Sequence, residues 1–417
     1  MKQIRIQGGN YLEGTIRISG AKNSAVALVP ASLLSDELVK LDNVPNISDI
    51  DALNEILTFL GAKVSRKDEL MIIDSSAVES KSIPENISKK LRASYYFMGA
   101  LLGKYKKVEM YFPGGCSIGA RPINLHLKGF EALGATVIED GNKYTITAEE
   151  LKGGHIYLDT VSVGATINIM LAAVKANGQT IIDNAAKEPE IVNVATFLNQ
   201  MGAKISGAGT SQIRITGVEK LGSCYMEVIP DRIEAGTYVI AGALMGKNLK
   251  IENIIPEHIE ALLIKLHEMG VKLDVHDDYL IISKTEDLRP VDITTQVFPG
   301  FATDLQQPVT SLLTTCNGVS TLEETIYENR FQNVEYLNKL GANITINGQK
   351  IIINGPSKLT GQTVVATDLR AGACLILAGL IADGETVIEE VEHVLRGYEK
   401  IIEKLGSVGA KIKLEEI

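Results

Sequence analysis

Four stretches of this chain hold residue types that can do chemistry. The first is Pro113-Gly114-Gly115-Cys116-Ser117-Ile118-Gly119-Ala120-Arg121-Pro122. Its glycines allow close approach to a ligand, and it carries a thiol with a guanidinium five residues on. A nearby cation lowers a thiol's pKa and makes it reactive. Burial in a structural role is the commoner fate of a cysteine. Cys224, Cys316 and Cys374 fit that role, the last two inside expected apolar helices, whereas Cys116 on a glycine loop fits it poorly. The second stretch, Ser19-Gly20-Ala21-Lys22-Asn23-Ser24, follows an expected strand and opens a helix. A lysine among backbone N–H groups at a helix start suits phosphate or carboxylate, although such lysines are also common on solvated faces.

The third set is arginines at expected helix starts: Arg92, Arg330, Arg370 and Arg396. Guanidinium matches the geometry of carboxylate and phosphate. Pairing with a surface Glu is the plainer alternative for any one of them. Arg92 and Arg370 hold the same place in Leu91-Arg92-Ala93-Ser94 and Leu369-Arg370-Ala371-Gly372, which makes them candidates for one cleft. The fourth is Asp304 in Phe301-Ala302-Thr303-Asp304-Leu305-Gln306. Asp231 and Asp368 occupy nearly the same place in their own segments, so all three are candidate helix N-caps. Spacing alone does not make Asp304 a base. His126, five residues after Arg121, reads first as a structural histidine.

The elements that must carry these residues repeat. A helix end followed by Gly and a small residue recurs at Gly61, Gly134, Gly202, Gly270, Gly341 and Gly409, spaced 68 to 73 residues apart. Six units of one period make a strong repeat signal. Each unit begins with a small-residue helix, such as Gly164 to Lys175 or Ala371 to Ile381. A strand follows, such as Gln179 to Ile182 or Glu385 to Ile388. Next comes an amphipathic helix, with Leu53, Ile56, Leu57 and Leu60 on one face in the first unit and Tyr398, Ile401, Ile402 and Leu405 in the last. The recurring glycine sits where a helix C-cap needs left-handed φ. A strand pair closes the unit, as Asn343–Ile346 and Lys350–Ile353 do around Asn347-Gly348-Gln349. A helix that is apolar nearly all round must be buried, so sheets and outer helices should enclose it. Three units per half give two similar domains of about 200 residues, and a cleft between such domains is a common ligand site.

Composition narrows the function. The chain has 417 residues with a net charge of -10, from 41 Lys and Arg against 51 Asp and Glu. No global basic field for nucleic acid is present. Trp is absent and aromatics are 5%, which disfavours base-stacking platforms. An anionic small molecule would need a local cluster of Arg and Lys against that field. The four cysteines form no CxxC and no Cys/His pair at zinc spacing, so free thiols in a reducing compartment fit. The opening Met1-Lys2-Gln3-Ile4-Arg5-Ile6 lacks a signal-peptide apolar region. The most apolar run, Ala371 to Ala382, is 12 residues long, short of the roughly 20 a spanning helix needs. Cytoplasmic localisation without membrane attachment is the expectation.

The combination Gly20-Ala21-Lys22-Asn23, Pro113-Gly114-Gly115-Cys116, Gly119-Ala120-Arg121-Pro122, Ser162-Val163-Gly164-Ala165-Thr166 and Glu188-Pro189-Glu190-Ile191 resembles the UDP-N-acetylglucosamine 1-carboxyvinyltransferase family of enolpyruvyl transferases. Pro230-Asp231-Arg232-Ile233-Glu234, Glu328-Asn329-Arg330-Phe331 and Arg396-Gly397-Tyr398-Glu399 extend the likeness over essentially the full length. The resemblance implies an inside-out α/β barrel fold: two domains, each with three copies of the repeat. One domain would span residues 22–229 and the other 1–21 plus 230–417, with the active site in the cleft between them. It implies transfer of the enolpyruvyl group of phosphoenolpyruvate to the 3′-hydroxyl of UDP-N-acetylglucosamine with release of phosphate. That is the first committed step of peptidoglycan synthesis, and so serves cell-wall biogenesis, cell shape and division. No cofactor and no metal are implied.

By the same resemblance, Cys116 protonates the enolpyruvyl methylene, can form a covalent adduct with phosphoenolpyruvate, and is the target of fosfomycin. Lys22, Arg121 and Arg396 would hold the phosphate, with Arg330 and Arg370 nearer the carboxylate. Asp304 would accept the sugar hydroxyl's proton, and Asn23 would touch both substrates. Arg92, Arg121, Pro122, Ile123, Asn124, Leu125, Ser162, Val163, Gly164 and Ile326 match nucleotide-sugar contacts. Two positions depart from the family pattern. Asp159-Thr160-Val161 stands where several members carry Lys beside the diphosphate, and Asn124 stands where some carry Asp. The shikimate-pathway enolpyruvyl transferase is the rival enzyme, but it lacks the Pro-Gly-Gly-Cys loop. A non-catalytic paralogue that binds the nucleotide sugar is the rival of another class, and the intact motif residues argue against it.

Overall fold

The computed structural model describes residues 2–112 and 122–416. The chain forms two compact units. One is built from Met1–Ser19 and Pro230–Ile417, the other from the described residues between them. Each unit has its own hydrophobic core.

Every repeat places one helix in the interior. In the unit of residues 20–229 these are Lys22–Ala31, Tyr96–Tyr105 and Val163–Ala173. In the other they are Arg232–Met245, Gln306–Leu313 and Leu369–Ile381. Leu369–Ile381 is buried from Leu369 to Leu380, as a helix apolar on all sides must be. The interior helices pack on one another, and small residues set how closely. A Cβ at Gly99 would lie 2.3 Å from the carbonyl oxygen of Asn168 on the neighbouring helix.

Outside the interior helices lie six separate sheets, three to a unit. The barrel expected by resemblance therefore takes the form of six discrete sheets, none closed on itself among the described residues. The sheets share one plan, in which a short edge strand runs parallel to its neighbour and the remaining pairs are antiparallel. Asp292–Thr294 beside Gly318–Glu323 and His155–Tyr157 beside Gln179–Asp183 are two such parallel edges. Lys107–Tyr111 belongs to a three-stranded sheet, where a single parallel bridge from Ile83 to Met110 takes the place of the edge strand. The chain's first strand, Lys2–Gln7, is central in its sheet. It pairs antiparallel with Glu385–Glu389 on one side and with Lys411–Glu416 on the other.

The six recurring glycines all have positive φ, from +91° at Gly134 to +110° at Gly341. This is the left-handed conformation that ends a helix at little cost only in glycine. The expected hairpin is present as Ile344–Asn347 and Lys350–Gly355, with Gly348 at φ +60°. One helix differs from expectation. The last amphipathic helix begins only at Ile401, so Tyr398 lies outside it, in a break after the short helix Glu392–Leu395. Lys400 at φ +50° turns the chain there. Gly397 packs against Leu369 so tightly that a Cβ would sit 2.6 Å from its Cδ2.

Candidate active site

In the unit of residues 20–229, Lys22 opens an interior helix, as its sequence context implied. Its Nζ lies 2.5 Å from Asp49 Oδ2, at the start of the outer helix Ser48–Leu60, and both side chains are largely buried. Gly20 has no room for a side chain, since a Cβ would lie 1.7 Å from the Asn43 carbonyl oxygen. Asn23 sits in the first turn of the same helix.

A second cluster of this unit surrounds His126, which is buried on the outer helix Asn124–Ala132. Asn168, a lone amide in an apolar helix, organises it. Its Oδ1 accepts from the Gly99 N–H at 2.8 Å. Its Nδ2 donates to the Tyr95 carbonyl and to His126 Nδ1, each at 2.9 Å. The backbone partners fix the amide's orientation, so His126 Nδ1 accepts and Nε2 carries the proton. Burial first, and then the charge of Arg92, pushes the imidazole pKa down to about 3, so the ring is neutral at physiological pH. Nε2 and the Tyr95 hydroxyl crowd Gly164, where a Cβ would lie 3.2 and 2.8 Å away from them. Gly164 lies in the first turn of the helix Val163–Ala173. Ser162 caps that helix by accepting from Ala165 N–H at 3.2 Å. Arg92 opens the 3-10 turn Arg92–Tyr95, with its guanidinium 5.1 Å from the centre of the Phe112 ring. Pro122, Ile123, Asn124 and Leu125 lead into the helix that carries His126, and Ile123 is buried. Thr160 lies beside Asp159, which pairs with Lys128 at 2.6 Å.

The other unit holds a denser charge cluster. Asp304 lies on the 3-10 turn Thr303–Leu305 and forms no cap bond. Asp231 and Asp368, its counterparts in the repeat, each accept from two backbone N–H groups of the following helix. The N-cap expectation thus holds for those two and fails for Asp304, whose oxygens face arginines instead. Arg330 Nη2 is 2.7 Å from Oδ1 and Arg370 Nη2 is 3.0 Å from Oδ2. Burial pushes the carboxyl pKa up, but the charges of Arg370 and Arg330 outweigh it and hold it well below the usual carboxylate range. Arg330 Nη1 donates to Thr303 Oγ1 at 2.7 Å, and that hydroxyl donates to Glu324 Oε2 at 2.7 Å. Glu324 is fully buried and also accepts from Thr295 Oγ1 and from the N–H groups of Ile326 and Tyr327. The Arg370 guanidinium lies 5.2 Å from the centre of the Tyr398 ring, whose hydroxyl is 2.9 Å from Thr237 Oγ1.

The arginine expectation needs two corrections. Arg396 follows the short helix Glu392–Leu395 instead of starting one, because the chain breaks there. Arg330 precedes its helix, Gln332–Lys339, by two residues. Cys116 and Arg121 lie outside the described residues. Cys224, Cys316 and Cys374 are buried, and burial pushes the last two thiols up to about 11. Sequence reasoning missed Asp49, Tyr95, Asn168 and Glu324. Only Asn168 left a sequence signal, as an amide within an otherwise apolar run.

The pattern of the EPSP synthase (3-phosphoshikimate 1-carboxyvinyltransferase) family matches residues 6–405. UDP-N-acetylglucosamine 1-carboxyvinyltransferase 2 of Listeria monocytogenes serovar 1/2a is 54% identical over 410 residues, covering 98% of this chain and 97% of that protein. The protein of the same name from Bacillus subtilis strain 168 is 53% identical over 418 residues, covering 100% and 97%. Among solved structures, the enolpyruvyl transferase NikO from Streptomyces tendae superposes with a TM-score of 0.91 at 28% identity, covering 99% of each chain. EPSP synthase from Acinetobacter baumannii superposes at 0.78 and 17% identity over the full length of both, a likeness of fold alone.

Proposed function

Because the chain belongs to the UDP-N-acetylglucosamine 1-carboxyvinyltransferase family of enolpyruvyl transferases, we propose that it moves the enolpyruvyl group of phosphoenolpyruvate to the 3′-hydroxyl of UDP-N-acetylglucosamine and releases phosphate, the first committed step of peptidoglycan synthesis. The observation that carries the reading is the pair of buried arginines, Arg330 and Arg370, converging on one carboxylate. A site of that design suits a substrate with a planar carboxylate. Arg330 and Arg370 hold the carboxylate of phosphoenolpyruvate, while Lys22, Arg121 and Arg396 hold its phosphate. Asn23 lies against both substrates. Arg92, Pro122 to Leu125, Ser162 to Gly164 and Ile326 line the nucleotide sugar. The N–H groups at the Ser162-capped helix start favour its diphosphate.

In the reaction, the 3′-oxygen bonds to C2 of phosphoenolpyruvate and its proton passes to Asp304. Cys116 supplies a proton to C3, giving a tetrahedral adduct that the surrounding cations stabilise. Loss of phosphate from C2, which carries away the proton held by Asp304, and return of a proton from C3 to the Cys116 thiolate then re-form the C2–C3 double bond and give the enol ether product. The reading places the protein in the cytoplasm, with two small-molecule substrates and no nucleic-acid or membrane partner. No helix among the described residues is long and apolar enough to cross a membrane.

The test is phosphate release from phosphoenolpyruvate, comparing UDP-N-acetylglucosamine with shikimate 3-phosphate as acceptor. Release with the nucleotide sugar alone supports the proposal. Release only with shikimate 3-phosphate, or with neither acceptor, defeats it.

A further inference from the structure

Asp304 presents a chemical conflict. The proposed function needs its carboxylate to accept a proton, yet each oxygen already lies on a guanidinium, at 2.7 Å from Arg330 and 3.0 Å from Arg370. A carboxylate held this way is a poor base. It also occupies the two arginines needed by the substrate carboxylate. One rearrangement removes both difficulties. We propose that Asp304 stands in for the substrate carboxylate on the Arg330–Arg370 pair, and that phosphoenolpyruvate displaces it and so frees it to accept the proton of the 3′-hydroxyl. The inference rests on the proposed function and adds a resting state to it.

The local geometry favours such an exchange. The Asp304 side chain is 26% exposed, whereas those of Arg330 and Arg370 are 3% and 5% exposed. A solute arriving from water therefore meets the carboxylate first, with the cations behind it. Each arginine gives Asp304 a single N–H rather than a two-pronged grip. Arg330 Nε is buried with no acceptor among the described residues, so the pair retains donor capacity. The arginines are also held from other sides. Arg330 is anchored through Thr303 to the buried Glu324, and Arg370 lies against the Tyr398 ring. Among the described residues, Asp304 has no such second anchor. It is not a helix cap, and its side chain can swing away while Thr303 holds the turn. Exchange of one carboxylate for another never leaves the buried cations without a counter-charge, which would be the costly state. Release from two guanidinia also raises the basicity of Asp304 at the moment the acceptor needs it.

Two measurements test the exchange. In a crystal structure of the wild-type protein with phosphoenolpyruvate bound, the ligand carboxylate should bridge Arg330 and Arg370, with Asp304 beyond hydrogen-bond distance of both. Asp304 still seated on both guanidinia, with the ligand carboxylate elsewhere, overturns the proposal. In the second, Asp304→Asn removes the internal competitor together with the proton acceptor. Its kcat should fall roughly a hundredfold or more. Its calorimetric Kd for phosphoenolpyruvate should tighten about tenfold, because no bound state need be vacated first. An aspartate with a merely structural role would give weaker binding and a lower melting temperature. An unchanged or weaker Kd in a folded Asn variant overturns the exchange, and if that variant does not fold the wild-type complex decides. Failure of the functional reading looks different: the wild-type protein would release no phosphate with UDP-N-acetylglucosamine, whatever the Kd of the variant.

Discussion

Thiol chemistry should separate the four cysteines. Cys316 and Cys374 are buried with pKa values pushed up to about 11, and burial also raises Cys224. All three should carry little thiolate at neutral pH. Fosfomycin, an electrophilic phosphonate, should therefore label Cys116 first, and faster with UDP-N-acetylglucosamine present. Mass-spectrometric mapping of the labelled peptide checks this, and first label on any other cysteine defeats the assignment. Cys116→Ser should lose most turnover because a hydroxyl is a far weaker acid. Cys116→Asp should retain some, since a carboxyl can still deliver a proton. His126 offers a test that titrates. Its folded-state pKa of about 3 lies below the ordinary value, so the unfolded chain binds the extra proton. Its contribution to stability is full above pH 6.5 and is lost as pH falls toward 3. Between pH 7 and pH 5 the loss should be about 2 kcal/mol. Denaturant unfolding of wild type and His126→Gln at the two pH values should show this slope only in the wild type.

The interior helices depend on close approach and on their caps. Gly99→Ala would drive a Cβ into the carbonyl oxygen and side-chain oxygen of Asn168, at 2.3 and 2.5 Å. Backbone cannot yield cheaply there, so the cost should reach about 3 kcal/mol, and the Asn168–His126 bond should be disturbed with it. Asp231→Ala and Asp368→Ala should each cost about 1 kcal/mol as lost caps, read as falls in the unfolding midpoint. The repeat was legible because it rests on local rules. Left-handed glycines, apolar helices and a glycine-centred hairpin each declare themselves in a few residues. What was illegible depended on contacts distant in the chain. Nothing near Asp304 announces that its partners are Arg330 and Arg370, 26 and 66 residues away. Nothing near Lys22 singles out Asp49. The periodicity of Tyr398, Ile401, Ile402 and Leu405 pointed to one helix, but the packing of Gly397 on Leu369 ends the regular structure earlier.

Across the whole molecule, one buried group in each unit should respond to acid in opposite directions. Glu234, in the unit that holds the chain ends, is buried, and burial outweighs Lys404 at 2.5 Å to push its pKa up to about 7. It also accepts from the N–H of Ser19, the last residue before the chain leaves that unit. A carboxyl with a raised folded-state pKa takes its proton in the native state. Its contribution is therefore intact below about pH 4.5 and is lost as pH rises toward 7. Between pH 5 and pH 7 the loss should be about 2 kcal/mol, opposite in sign to that of His126. Calorimetry across this range should show the difference between wild type and Glu234→Gln growing with pH; a difference independent of pH would defeat the assignment.

The placement of Lys2–Gln7 between Glu385–Glu389 and Lys411–Glu416 also constrains how the protein is made. Lys2–Gln7 leaves the ribosome with neither neighbour, and waits for more than 370 further residues before the first of them is translated. Residues 20–229, with a core of their own, emerge complete while the leading segment still waits. Synthesis should thus yield a folded middle before a folded beginning. Nascent chains arrested near residue 260 should resist protease within residues 20–112 and 122–229 while their first 19 residues are cut away.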